Sequence, residues 1–183
     1  MTHSDSLPND EAPAAAPVSP WLASAIAASA FVVPVAMSAS SRPAPFHPSI
    51  FAWYRSLRQP WFKPPDALIP VAWSAIESGL AVAAYRLLRA APSSARSRVP
   101  ALLGWNVVAI GGWSRLFFGQ RKIAASAAAA ASMVVTGAAF VQQASRVDPT
   151  ASRAALPFVG WVGFATVPTA AIWRLNRQSP TRR

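Results

Sequence analysis

The chain has 183 residues, of which 53% are hydrophobic and only 13% are charged, and its mean hydropathy is +0.29. Soluble globular domains carry about 25% charged residues, so this composition argues against an ordinary cytosolic enzyme. The 17 Lys and Arg residues outnumber the 6 Asp and Glu residues and give a formal charge of +11. Such an excess suits either nucleic-acid binding or a membrane surface, and the positions of the charges must decide between them.

Metal-binding and thiol chemistry have little support in the sequence. Cysteine is absent, which excludes disulfides, Cys-type zinc fingers, thiol nucleophiles and iron–sulfur clusters. The two histidines, His3 in a polar tail and His47 in a Pro-rich loop, cannot form a paired imidazole site. We therefore expect both histidines to be solvated, with no metal site and no required cofactor.

Long segments without charge define the expected fold. Asp, Glu, Lys and Arg are absent from residues 12–41, 99–114, 123–145 and 154–173, and residues 67–88 are interrupted only by Glu77 and Arg86. A helix that crosses a membrane needs about 20 apolar residues. The sequence thus predicts an all-α integral membrane bundle of five transmembrane helices, near 21–40, 67–89, 100–120, 123–145 and 154–174. A soluble Ala-rich bundle is the alternative, but it would need charged helix faces, which 123–145 and 154–173 lack.

The tails complete the expected domain organisation. Residues 1–19, rich in Ser, Pro and Ala, predict a disordered N-terminal tail, residues 20–176 the membrane domain, and residues 177–183 a basic C-terminal tail. Residues 1–20 contain acidic residues and no Lys or Arg, unlike the start of a signal peptide. We therefore expect the first helix to be retained.

The basic residues lie mostly between the predicted helices, which argues against a DNA-facing stripe and for a lipid bilayer as partner. With five crossings, one side of the membrane carries Arg42, Arg55, Arg58, Lys63, Arg121, Lys122, Arg174, Arg177, Arg182 and Arg183. The other side carries Arg86, Arg89, Arg96, Arg98, Arg146 and Arg153. Because the side richer in Lys and Arg usually faces the cytoplasm, we expect a cytoplasmic C-terminus and an N-terminus outside.

The segment between the first two predicted helices is rich in aromatic and cationic residues. It runs from Trp53-Tyr54 through Pro60-Trp61-Phe62 to Pro64-Pro65, and Trp73 follows in the second predicted helix. Tryptophan and tyrosine favour the level of the lipid headgroups, so an aromatic belt without any ligand is one interpretation of this segment.

At these residues the chain resembles the TspO/MBR family, the tryptophan-rich sensory proteins related to the mitochondrial translocator protein. The family pattern is approximately W-Y-x-x-L-x-x-P-x-W-x-P-P followed by P-V-x-W. Two later segments also resemble family motifs: Trp105-Asn106 with 113–118 (WSRLFF), and 156–166 (LPFVGWVGFAT). The three motifs lie in register across residues 50–176.

The resemblance implies a five-helix bundle, commonly a homodimer, whose pocket binds porphyrins and other tetrapyrroles such as protoporphyrin or haem. Within that pocket Trp53, Tyr54 and Trp61 would lie in or near a loop lid, and Trp73 and Trp161 would form walls. The remaining implied ligand-binding positions are Glu77, Asn106, Phe158 and Ala165. Bacterial relatives are thought to use the positions of Trp73 and Trp161 in light-dependent breakdown of protoporphyrin.

Helical periodicity supports an aromatic pocket independently. One face of the second helix carries Trp73 and Glu77, one face of the third carries Asn106, Trp113 and Phe117, and one face of the fifth carries Trp161, Ala165 and Ile172. Such walls suit a flat conjugated ring through offset stacking. Aromatic stripes on helices are nevertheless more often packing surfaces.

Several positions depart from the family pattern. Glu77 occupies the usual place of a Tyr, and it should either pair with Arg115 or be protonated and hydrogen-bonded within the bundle. Phe158 replaces another Tyr and removes a hydroxyl. Because no Tyr lies near Arg174, cholesterol binding through the L/V-x-Y-x-K/R pattern is disfavoured.

Three functions remain open at this point. The first is a membrane protein that binds tetrapyrroles for transport, sensing or disposal. The second is an enzyme that degrades protoporphyrin photo-oxidatively through Trp73 and Trp161. The third is a membrane scaffold or stress regulator with a vestigial pocket. Gly104, Gly111 and Gly112 could serve either a dimer seam or internal packing.

Overall fold

A computed structural model describes residues 17–177, and the tail predictions for 1–16 and 178–183 lie outside the described residues. The regular structure in this range is entirely helical: α1 (Pro20–Ser38), α2 (Pro48–Ser56), α3 (Leu68–Arg89), α4 (Ser94–Ser114, continued by a π-helical turn over Arg115–Gly119), α5 (Ile123–Ser145) and α6 (Pro149–Asn176). All of these except α2 are long and apolar enough to span a membrane. The predicted all-α bundle of five transmembrane helices is confirmed.

Helix capping explains where the structure differs from the predicted boundaries. Helix α5 matches its prediction, but α4 begins at Ser94 rather than at residue 100 and α6 at Pro149 rather than at 154. The Ser93 side chain accepts a hydrogen bond from the first turn of α4, and Asp148 accepts two from the first turn of α6. Capping thus extends both helices beyond the charge-free segments, so Arg96, Arg98 and Arg153 lie in helices rather than in loops.

The five long helices form a closed ring in the order α1, α3, α6, α5, α4. Small residues let neighbouring helices approach closely. A Cβ atom on Gly79 would lie 2.5 Å from the Ala154 carbonyl oxygen, and one on Gly111 would lie 2.6 Å from Cβ of Met37. Gly111 therefore serves internal packing between α4 and α1, whereas Gly104 and Gly112 have open space beside them.

The short helix α2 lies at one end of the ring, against the π-helical turn that ends α4. In this turn the N–H of Gln120 donates to the carbonyl oxygen of Arg115 at 2.8 Å. Arg121 follows with φ 55°, a left-handed backbone conformation that lets the chain turn sharply into α5. The turn thus places the rings of Phe117 and Phe118 beside α2.

Candidate ligand-binding site

Beneath α2 lies a cluster of aromatic rings from two parts of the chain. We call it the lid cluster, and it consists of Trp53, Tyr54, Trp113, Phe117 and Phe118. Trp113 stacks on Phe117 with ring centroids 5.0 Å apart, and Tyr54 meets Phe118 edge-on at 5.4 Å. Trp53 approaches Phe117 edge-on at 5.9 Å. These contacts fix the position of α2 over the bundle.

The polar atoms of Tyr54 are fully engaged. Its hydroxyl donates to Oδ1 of Asp66 at 2.9 Å and accepts from Nζ of Lys63 at 2.9 Å, and Lys63 also pairs with Asp66. Burial is the largest influence on Tyr54 and raises its pKa above the ordinary value. Burial lowers the pKa of Lys63, but hydrogen bonds to Asp66 and Tyr54 outweigh this effect and raise it. The Pro-Pro segment between Lys63 and Asp66 is thereby tied to α2.

Further contacts join this segment to the rest of the bundle. The Asn176 side chain, at the end of α6, accepts from the N–H of Arg58 at 3.1 Å and donates to the carbonyl oxygen of Arg58 at 3.0 Å. The indole N–H of Trp113 donates to the carbonyl oxygen of Ser126 on α5 at 2.9 Å. The Arg121 guanidinium lies over the Trp53 ring, 5.4 Å from its centroid. The lid cluster is therefore anchored to α4, α5 and α6.

A second aromatic group lies between α3 and α6. We call it the interhelical site, and it consists of Trp73, Glu77 and Trp161. The two indole rings meet edge-to-face, with centroids 6.4 Å apart and planes at 81°. Glu77 follows Trp73 by one helical turn on the same face of α3. The structure thus brings together the two predicted wall residues, and the predicted carboxyl lies one helical turn from Trp73 on α3.

The polar groups of the interhelical site have no partners within residues 17–177. The indole nitrogen of Trp161 is buried and makes no hydrogen bond there. Glu77 is only 6% exposed. Within residues 17–177 its carboxyl forms neither an ion pair nor a hydrogen bond. The predicted pair with Arg115 is wrong, because Arg115 lies exposed in the π-helical turn and carries no salt bridge in the described part of the chain. The alternative prediction, a hydrogen bond within the bundle, is not met either.

The remaining predicted site residues lie elsewhere. Asn106 is 1% exposed, and its amide is engaged at both ends. It donates to the carbonyl oxygen of Leu102 within α4 and accepts from the Thr136 hydroxyl on α5, both at 2.8 Å. Phe158 is buried against Gly137 of α5. Both side chains contact neighbouring helices, and their role in ligand binding stays a prediction.

Two further predicted residues differ in exposure. Ala165 is half-buried, one helical turn beyond Trp161. Trp61 is 94% exposed and contacts the ring of Phe62 at 5.7 Å. The structure does not bring Trp61 together with the lid cluster, and its role in ligand binding stays a prediction.

Sequence reasoning did not assign Lys63, Asp66, Trp113 or Asn176 to the site. The spacing of Lys63 and Asp66 beside Trp53-Tyr54 was a usable signal, since opposite charges three residues apart after an aromatic pair favour a local network. Helical periodicity puts Trp113 on the same helix face as Asn106 and Phe117, but it does not identify Trp113 as a site residue. Nothing in the sequence links Asn176 to Arg58, because the two are 118 residues apart.

Comparison with known proteins identifies the family of the chain. The family model described as "TspO/MBR family" matches residues 22–174. The chain belongs to the TspO/MBR family. It is 29% identical to the tryptophan-rich sensory protein of Cereibacter sphaeroides over 132 residues. This matched region covers 72% of this chain and 81% of that protein.

Two other relatives extend the range of organisms. Protein CrtK of Rhodobacter capsulatus is 31% identical over 127 residues, covering 68% of this chain and 79% of its own length. The translocator protein of Sus scrofa is 28% identical over 130 residues, covering 68% and 75%. Family membership and five apolar helices together identify this TspO/MBR member as a multi-pass integral membrane protein.

Proposed function

We propose that this TspO/MBR protein binds tetrapyrroles such as protoporphyrin or haem, and that it acts in their transport, sensing or disposal. The interhelical site is the proposed contact for the ring. The observation that carries the proposal is the buried Trp161 N–H, which has no hydrogen-bond partner within residues 17–177 and belongs to one of two indole rings in contact. Glu77, 6% exposed and without an ion pair in the same range, lies one helical turn from the other indole.

The energetics favour an occupant that satisfies those groups. A buried polar group without a hydrogen bond costs about 1 to 3 kcal/mol, and a ligand that supplies the partner recovers part of that cost. A tetrapyrrole offers a wide conjugated face on which one of the two indoles can stack while the other, at 81° to it, meets the ring edge-on. Each such aromatic contact is worth about 0.5 to 1.5 kcal/mol beyond burial. Its carboxylates can accept the Trp161 N–H.

Titration of the purified protein with protoporphyrin, followed by quenching of tryptophan emission, tests this proposal. We expect saturable quenching in the wild type and weaker binding in Trp161→Phe. The matched control is Trp113→Phe, because the Trp113 N–H already donates to Ser126 and its loss should leave the affinity unchanged. Absence of saturable quenching in lipid nanodiscs would contradict tetrapyrrole binding and favour a scaffold with a vestigial pocket.

A second candidate function is light-dependent degradation of bound protoporphyrin. The edge-to-face contact of Trp73 and Trp161 favours it, since adjacent indoles can share the electron hole left when one of them reduces a photoexcited ring. Dioxygen would take that electron from the ring as superoxide, and the indole radical cation would then recover an electron from the ring. The porphyrin is thereby oxidised overall by dioxygen and the indole is restored. Illumination of the complex separates the two functions. The double variant Trp73→Phe, Trp161→Phe should bind protoporphyrin weakly and should lose light-dependent degradation even at saturating ligand. If the wild type and the variant bleach protoporphyrin equally per bound ligand, the enzymatic hypothesis is rejected.

The α2 end of the bundle is the proposed cytoplasmic end, because it carries the larger group of Lys and Arg residues. The cysteine-free chain makes this testable. Single variants Gln59→Cys, between α2 and α3, and Ser93→Cys, between α3 and α4, should react with a membrane-impermeant thiol reagent from opposite sides. Labelling of Gln59→Cys from outside intact cells would reverse the assignment.

A further inference from the structure

A lateral groove lies at the end of the bundle opposite α2, with walls from α1 and α4 and a floor from α3. It encloses about 120 Å³ and is lined mainly by apolar side chains, among them Ile26, Leu87 and Leu103. The residues of the lid cluster and of the interhelical site do not line it. The groove is therefore separate from the proposed tetrapyrrole site.

The length of the groove matches one leaflet of a bilayer. Along α4 it extends from Arg96 in the first turn to Val107. At 1.5 Å per residue this is a rise of about 16 Å. The hydrocarbon core of a bilayer is about 30 Å thick, so the groove reaches from the headgroup level to about the midplane.

The interior of the groove suits an apolar chain. Ser29, a polar residue in its wall, already donates its hydroxyl to the carbonyl oxygen of Ile26 at 2.6 Å and so needs no polar partner. Gly104 leaves a gap in the α4 wall, because a Cβ atom there would meet no heavy atom within 4 Å. A larger side chain at Gly104 would therefore enter the groove without displacing backbone.

The headgroup end of the groove is cationic. One N–H of the Arg96 guanidinium donates to the carbonyl oxygen of Leu88 at 2.9 Å, which leaves further donors of its five N–H groups. Arg89, close by at the end of α3, donates to the carbonyl oxygen of Val18. Within residues 17–177 neither arginine is paired with a carboxylate. Guanidinium groups bind phosphate in a planar, bidentate manner.

We propose that this groove binds an anionic phospholipid, with one acyl chain between α1 and α4 and the phosphate at Arg96. Charge complementarity favours this occupant over a second copy of the chain. A twofold interface at the groove would bring the same unneutralised arginines of both copies toward each other, whereas a phosphate neutralises them.

Native mass spectrometry of the delipidated full-length protein tests the proposal with phosphatidylglycerol and phosphatidylcholine of identical acyl chains. We expect phosphatidylglycerol to bind about tenfold more tightly, because both lipids carry a phosphate but only phosphatidylcholine would also bring its choline cation beside the two arginines. Arg96→Gln should reduce that ratio toward one. Gly104→Leu should weaken binding of both lipids by about tenfold, since the added side chain occupies the groove.

Gly112→Leu is the matched control, because Gly112 also has open space beside it but does not line the groove. Circular dichroism verifies that each variant is folded. Equal retention of the two lipids by the wild type would overturn the proposal, as would wild-type lipid binding by folded Gly104→Leu. If Gly104→Leu dissociates a homodimer and leaves lipid binding intact, the groove is an interface between copies and the proposal is wrong. If Gly104→Leu does not fold, the lipid ratio of Arg96→Gln decides, and an unchanged ratio overturns the proposal.

Discussion

The lid cluster and the interhelical site are both rich in tryptophan, but they differ in how their polar atoms are used. In the lid cluster the Tyr54 hydroxyl and the Trp113 N–H have protein partners. In the interhelical site Trp161 and Glu77 have none within residues 17–177. Aromatic content alone therefore does not distinguish a packing element from a binding surface. The unpartnered polar groups make that distinction.

The largest expected effect concerns the lid cluster. Tyr54→Ala removes a buried ring that contacts Phe117 and Phe118, and we expect it to lower the free energy of unfolding in detergent by about 3 to 5 kcal/mol. Tyr54→Phe keeps the ring and should cost about 1 kcal/mol through the lost hydroxyl. Equal effects of the two substitutions would show that the hydrogen-bond network, and not the ring packing, stabilises this end.

Glu77 should give an effect of the opposite sign. Glu77 is 6% exposed and its carboxyl has no partner within residues 17–177, so Glu77→Leu should raise the free energy of unfolding of the ligand-free protein by about 1 kcal/mol. Glu77→Gln retains an unpartnered polar group and should change stability much less. A loss of stability in Glu77→Leu, measured by thermal unfolding, would mean that the carboxyl is satisfied in the membrane and that the contrast with the lid cluster is overstated.

Asp148 extends the comparison to a partnered carboxylate at the opposite end. Burial raises its pKa, but hydrogen bonds from the Ala151 N–H, the Arg86 guanidinium and the Thr150 N–H outweigh burial and lower it. The stabilisation is therefore present above the ordinary pKa of 3.8 and is lost as the pH falls through the lower folded value. We expect a loss of about 1 kcal/mol on acidification. Asp148→Asn, which keeps a capping oxygen without the titration, should lack this component of the pH profile of thermal unfolding.

The smallest effects come from a matched pair of indole substitutions. Trp113→Phe removes a hydrogen bond to Ser126 and should cost about 0.5 to 1.5 kcal/mol. In Trp161→Phe the relief of an unpaired N–H offsets the smaller ring, so the stability of the ligand-free protein should change by less than about 0.5 kcal/mol. Ligand affinity should respond in the reverse order. If Trp113→Phe and Trp161→Phe lose equal stability, Trp161 acts as a packing residue like Trp113.

The transmembrane helices were predictable because each must be apolar along its own length, and the charge-free segments report this directly. Residues 123–145 coincide with α5 for this reason. The starts of α4 and α6 were missed because Ser93 and Asp148 cap helices that begin with charged turns. Capping satisfies backbone N–H groups regardless of the hydropathy of the first turn.

The site was predictable only as a set of residue types. The motifs named Trp53, Tyr54, Trp73, Phe158 and Trp161, and helical periodicity placed Asn106 on one face with Trp113. Neither kind of evidence separates residues that contact one another from those that contact a ligand. Asn106 is an example, since its hydrogen-bond partner Thr136 lies on α5 and becomes a neighbour only because α4 and α5 pack side by side in the ring of helices.

By itself the sequence determined an apolar five-helix membrane protein with a tryptophan-rich first loop, because hydropathy and local motifs depend on residues close together in the chain. The tertiary structure alone decided which polar groups find partners. That outcome depends on the order of helices around the ring, which set Asn176 beside Arg58 and left Trp161 and Glu77 without partners in the described part of the chain.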